Sequence, residues 1–114
     1  MTRYLLDTDT CIWVLRLRDP VLSRVRGTSP DDLVIATMTE AELMFGALNS
    51  RDAERNLERL DVFLAAPFEV IPFDREAARR HAELRLALKR RPIGERDLII
   101  ASTASAHGLT VVTS

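Results

Sequence analysis

The sequence predicts an α/β protein, a three-layer α/β/α sandwich around a central parallel sheet. Four short apolar runs, at residues 4–6, 33–36, 68–71 and 110–112, are separated by stretches with helical spacing. Strands that alternate with helices imply βα crossovers, hence a parallel sheet covered on both faces. The length agrees: 114 residues, 46% of them hydrophobic and 29% charged, suffice for one core and fall short of two, so residues 1–114 are read as a single domain.

Tyr4-Leu5-Leu6 is the first strand, and Thr10 is placed to cap a helix running through Trp13 and Leu17. Asp19-Pro20 supplies the N-cap and first-turn proline of a second short helix that ends near Gly27. The polar stretch from Thr28 to Asp32 is a loop before the second strand, Leu33 to Ala36. Thr39 starts a helix that runs to about Asn49, and Ser50 caps the next, whose Leu57, Leu60, Phe63 and Leu64 form an apolar stripe. Pro72 ends the third strand, Phe68 to Ile71. Asp74 caps a long arginine-rich helix, which Pro92-Ile93-Gly94 breaks. A last helix, about Glu95 to His107, stops at Gly108 in the expected C-terminal position before the fourth strand. The chain reaches Ser114 directly after that strand, so the sheet is expected to lack its C-terminal edge and the domain to be truncated there. Trp13, Phe63 and Phe73 are expected in the core, and His81 and His107 at the surface or in packing.

Composition excludes several classes. A formal net charge of -1 argues against coating nucleic acid by bulk electrostatics. Cys11 is the only cysteine, which rules out an internal disulfide and a cysteine-rich zinc site and fits a reducing compartment. No apolar run approaches the roughly 20 residues that span a bilayer, and Asp7 interrupts the N-terminal run before a signal sequence could form. The expected location is the cytoplasm, with no membrane association. Of the 16 basic residues only Lys89 is lysine; Arg90, Arg91 and Arg96 flank the turn before the last helix and are suited to phosphate contacts that position a strand without reading its sequence.

Asp7, Glu42 and Asp97 are the candidate catalytic and metal-ligating residues. Each sits where an apolar run ends or a helix begins, and such ends meet on one edge of a parallel sheet, where ligands bind. Each also has an ordinary reading. Asp7 can cap a turn, Glu42 stands three residues after Thr39 as in a capping box, and Asp97 can complement a helix dipole. Three acids on one edge repel unless a cation joins them.

Three blocks carry a resemblance: Leu5-Leu6-Asp7-Thr8-Asp9; Ile35 to Leu43 followed by Gly46; and Pro92-Ile93-Gly94-Glu95-Arg96-Asp97-Leu98-Ile99-Ile100-Ala101. In this order and spacing they resemble the main blocks of PIN-domain nucleases, and among them the VapC-like toxins of toxin-antitoxin pairs. The resemblance covers the whole chain. It implies that Asp7, Glu42 and Asp97 are acidic metal-site residues, that Mg²⁺ or Mn²⁺ is the cofactor, and that RNA is hydrolysed to 5′-phosphate and 3′-hydroxyl ends. It further implies a cognate VapB-like antitoxin and a homodimer. The family's fourth acid falls just past the position of Thr113, where this sequence has Ser114 and ends. Glu40 departs from the pattern by occupying a position that is commonly apolar.

Carboxylates and water suit Mg²⁺ and Mn²⁺, and a cation so held can bind a phosphodiester oxygen, acidify water and steady the leaving oxygen. Two alternatives remain open at this point. Asp7-Thr8-Asp9-Thr10-Cys11 approximates the start of haloacid-dehalogenase-like phosphatases with Asp7 as nucleophile, although Cys11 breaks that pattern. The acidic edge could also belong to a non-catalytic module that receives a basic side chain.

Overall fold

The computed structural model describes residues 2–65 and 68–113. Four strands, β1 (Tyr4–Leu6), β2 (Leu33–Ala36), β3 (Glu69–Ile71) and β4 (Thr110–Val112), form one sheet in the order β3-β2-β1-β4. Every pairing is parallel. Leu5 stands opposite both Val34 and Val111, and Ala36 opposite Ile71. Among the described residues, six α-helices connect or follow these strands: α1 (Thr8–Leu15), α2 (Val21–Arg26), α3 (Thr37–Leu48), α4 (Ala53–Ala65), α5 (Arg75–Ala87) and α6 (Glu95–Ala106).

The alternation of side chains along a strand splits the core into two layers. Leu6, Leu33 and Ile35 face one way and pack with Cys11, Leu43, Ala47 and Leu60, under α1, α3 and α4. Leu5, Val34, Ala36 and Ile71 face the other way and pack with Ile100 and Ala104 of α6. All four residues of β2 are buried, as expected of a strand covered on both faces. The predicted three-layer sandwich is therefore the fold. Among the described residues, no helix is long and apolar enough to cross a membrane.

Several local expectations change. The N-cap of α1 is Asp7, whose Oδ1 accepts from the backbone N–H of Thr10 at 2.8 Å; Thr10 lies inside the helix. That helix stops at Leu15. Leu17 N–H donates to Val14 and Arg18 N–H to Trp13, a Schellman arrangement that places Leu17 at φ 55° where glycine is usual. Gly108, at φ 64°, fills the same role after α6, with Leu109 N–H donating to Ala104. The loop before β2 contains a 3₁₀ turn, Pro30–Asp32. Asp52, not Ser50, accepts from a backbone N–H at the start of α4, that of Arg55 at 3.3 Å. Trp13 and Phe73 are 40% and 39% exposed, so neither is core, whereas Phe63 packs against it.

Helix α3 differs most. It begins at Thr37, directly from β2, so Thr39 is an interior residue and no Thr39–Glu42 capping box forms. Its buried face is Thr39, Leu43 and Ala47, while Met44 and Leu48 are exposed. Gly46 occupies its interior, where glycine costs roughly 0.5–1 kcal/mol relative to alanine.

Helices α5 and α6 are tied by two histidine–carboxylate contacts, His81 Nε2 to Glu95 Oε1 at 2.8 Å and His107 Nε2 to Asp74 Oδ2 at 3.0 Å. Asp74 also caps α5 as expected, its Oδ1 accepting from Ala77 N–H at 2.9 Å. That backbone hydrogen bond, with a smaller contribution from His107, holds the Asp74 carboxyl below its ordinary value of 3.8. A depressed folded value means stability that is present above pH 3.8 and lost as pH falls through the folded value. Asp74→Asn preserves the cap geometry but removes the charge. Its unfolding midpoint is therefore expected below wild type at about pH 5, with the gap closing on acidification below the carboxylate range; a pH series of urea melts measures this.

Candidate functional site

The chain runs outward from β1 to β2 and β3, then returns to the other side of β1 as β4. The crevice beyond the strand ends at this reversal is the usual ligand site of an open parallel sheet. Asp7 stands at that point. Its N–H donates to Val112 O at 3.1 Å, and the buried Thr10 hydroxyl donates to the same carbonyl at 3.1 Å, so the strand ends and the start of α1 are fastened together.

Thr8, the first residue of α1, donates its hydroxyl to Glu42 Oε1 at 2.6 Å, and its oxygen lies 3.4 Å from that of Thr39. This bond joins the end of β1 to α3 across 34 residues of sequence. The second oxygen of Glu42 accepts from Arg96 Nη1 at 3.3 Å. The Glu42 side chain is 16% exposed and that of Arg96 72%, so the carboxylate is enclosed while its cationic partner remains free to move through solvent. Glu40, also half-buried, makes no such link to the strand edge among the described residues. Asp97 is exposed in the first turn of α6, whose N-cap, Gly94, offers no side chain; its Oδ2 lies 3.9 Å from where a Cβ on Gly94 would stand.

The structure thus joins Asp7 and Glu42 through the Asp7-Thr8 step and joins Glu42 to the α6 start through Arg96. It does not draw the carboxylates onto one point: among the described residues no three His, Cys, Asp or Glu side chains form a group that could hold a metal ion. Ser114, beyond which the fourth acid was expected, lies outside the described residues. The donor chemistry, carboxylate and hydroxyl oxygens only, suits a hard divalent cation. Cys11 does not compete for this role, because burial, with a smaller push from the Asp7 charge, raises its thiol to about 12. Both histidines are engaged by other carboxylates, His81 by Glu95 and His107 by Asp74.

The spacing of the acids could not reveal the Arg96 contact, which spans 54 residues. It also missed a cavity beside Glu42 bounded by α1, α3 and α4; an interior helical glycine, Gly46, was its only trace in the sequence.

Comparison with known proteins gives a consistent match along the chain. The family model described as PIN domain matches residues 4–114. The "tRNA(fMet)-specific endonuclease VapC" of Salmonella typhimurium is 33% identical over an alignment that covers 100% of this chain and 87% of that protein. "Ribonuclease VapC2" of Rickettsia felis is 32% identical, covering 97% of this chain and 85% of that one. Among solved structures, DNA-bound VapBC from Salmonella typhimurium superposes with a TM-score of 0.90 at 33% identity, over 99% of this chain and 86% of that chain.

Proposed function

Because the chain belongs to the PIN-domain family, we propose that it is a divalent-metal-dependent endoribonuclease, the toxin of a toxin-antitoxin pair, with Asp7, Glu42 and Asp97 as its acidic residues. The observation that carries the reading is the Thr8–Glu42 hydrogen bond, which brings an acid on α3 to the edge where β1 delivers Asp7. The haloacid-dehalogenase-like alternative has no comparable observation in its favour, resting on the Asp7-Thr8-Asp9-Thr10 string that Cys11 breaks.

In this reading Asp7, Glu42 and Asp97 hold Mg²⁺ or Mn²⁺. The bound cation supplies charge neutralisation at the phosphodiester and a more acidic water. Thr8 orients the Glu42 carboxylate. Arg96, exposed at the rim, exchanges its contact with Glu42 for a phosphate of the RNA, and Arg90 and Arg91 extend the cationic edge along the approach to α6. The hydrolysis leaves a 5′-phosphate and a 3′-hydroxyl. The partner is a VapB-like antitoxin that offers a basic side chain to the acidic edge, the toxin is a homodimer, and the complex works in the cytoplasm.

Chelation with EDTA is expected to stop RNA cleavage and Mg²⁺ or Mn²⁺ to restore it, with products that a 5′-phosphate-dependent exonuclease degrades. Thr8→Val should weaken Mn²⁺ binding about 10–100-fold, as loss of a ligand-orienting hydrogen bond does, measured by calorimetry on the folded variant. Cleavage that persists in EDTA would overturn the proposal.

A further inference from the structure

Glycine at position 46 is unexplained by anything inside the chain. It is helical, it weakens α3, and apart from its chain neighbours and the helix's own backbone no heavy atom lies within 4 Å of the place where its Cβ would stand. Glu42 precedes it by one turn on the same helix face. The space over it is a half-open cavity of about 300 Å³, at the lower end of pockets that take small organic ligands.

This cavity is lined by the apolar Ile12, Leu15, Leu43 and Leu60 together with polar side chains. Arg59 is one of these, its Nη2 donating to Leu15 O at 2.8 Å, which leaves other guanidinium donors for a ligand. Arg16 is a second, exposed guanidinium in the lining. Asn56 Nδ2 donates to Ser50 Oγ at 2.8 Å, and Ser50 donates to Ala47 O at 2.6 Å, so the Asn56 amide is held against the cavity.

We propose that this cavity is a nucleotide subsite, which takes the base and ribose of the nucleotide next to the cleaved phosphodiester. The inference rests on the ribonuclease reading, because Glu42 forms part of both the acidic edge and the cavity wall. The apolar residues accept a base face, the Asn56 amide faces a base edge, and the two arginines meet the flanking phosphate, the combination by which unstacked RNA bases are bound. Gly46 lets the base lie against the α3 backbone. An apolar segment of a protein would use the same apolar residues but would offer no anion to Arg16 or to the remaining donors of Arg59.

The test is an NMR titration of the full chain with the four nucleoside 5′-monophosphates and, separately, ribose 5-phosphate. At least one nucleotide is expected to shift the amides of Gly46, Ala47, Ser50 and Asn56 with a Kd of roughly 1 mM, and ribose 5-phosphate to bind at least tenfold more weakly. Gly46→Leu, which fills the space with a good helix former, should keep or raise the thermal midpoint and weaken nucleotide binding tenfold or more. Asn56→Ala provides a second variant and should alter the preference among bases. The proposal is wrong if no cavity amide shifts, if ribose 5-phosphate binds as well as the nucleotides, or if folded Gly46→Leu binds them like wild type. It is equally wrong if Gly46→Leu loses only a protein partner. Asp97 lies outside the cavity, so Asp97→Asn should still bind nucleotides; if that variant still cleaves RNA, the catalytic assignment fails while the subsite is judged on the shifts alone.

Discussion

Asp97→Asn is expected to lower RNA cleavage on the order of 10²–10³-fold, the loss seen when one preorganised electrostatic group is removed from an active site, with little change in the urea midpoint. The two effects separate because Asp97 is exposed in the first turn of α6 and supports no buried structure. Asparagine has nearly the same shape, so the substitution removes a charge and little else. The stability change should be confined to the helix-dipole contribution, about 0.3–1 kcal/mol. The opposite pattern, intact cleavage with a lower midpoint, would mean that Asp97 serves only its helix. Asp7 provides an internal control. Asparagine caps helices as well as aspartate does, so Asp7→Asn should keep α1 and lose cleavage, whereas Asp7→Ala should lose both. Cleavage of labelled RNA and urea melts on the same samples distinguish these cases.

What the sequence revealed follows the range of the interactions. The strands were legible because a strand buried on both faces reads as a continuous apolar run, as Leu33-Val34-Ile35-Ala36 does. The Asp74 cap and Gly108 stop were legible because each depends on one residue and its immediate neighbours. The end of α1 was not, because Leu17 adopts a backbone conformation that a side chain of its type disfavours. Thr39 and Glu42 had the spacing of a capping box, but β2 passes into α3 without a loop and leaves the threonine inside the helix. The buried face of α3 is not legible from apolar character either. Met44 and Leu48 are apolar yet exposed, and apolar character alone does not place a residue inside.

The acidic edge shows the same boundary. Where each acid sits relative to a strand or helix end could be read locally, and parallel topology then brings those ends to one side of the sheet. The directions of the carboxylates depend on contacts the sequence keeps far apart. Thr8 reaches Glu42 only when α1 and α3 lie side by side, and Arg96 reaches it only when α6 closes the other flank. These contacts hold Glu42 between α1 and α6, so the position of α3 relative to both bears on the site.

Ile35→Ala is accordingly expected to damage stability and cleavage together. Ile35 is 0% exposed on the inner strand β2, in register with Val70, and packs in the layer beneath α1, α3 and α4. Removing a buried isoleucine to alanine costs about 2–5 kcal/mol, because the transfer energy of the lost atoms and the cavity left behind add. Against a total of about 5–15 kcal/mol for a typical domain, that is a large fraction. For a chain of this size the melting temperature should fall by roughly 10–20 °C. The functional consequence follows from connectivity: Ala36, the next residue, is the N-cap of α3, so any relaxation of β2 moves the helix that carries Thr39 and Glu42. Ile35→Val loses one methylene and should cost only about 0.5–1.5 kcal/mol. Urea melts at several protein concentrations, with RNA cleavage measured well below the melting temperature, test the linkage. If Ile35→Ala loses no more stability than Ile35→Val, β2 is not packed on this face as described. If folded Ile35→Ala cleaves RNA at the wild-type rate, α3 holds Glu42 independently of the strand that precedes it.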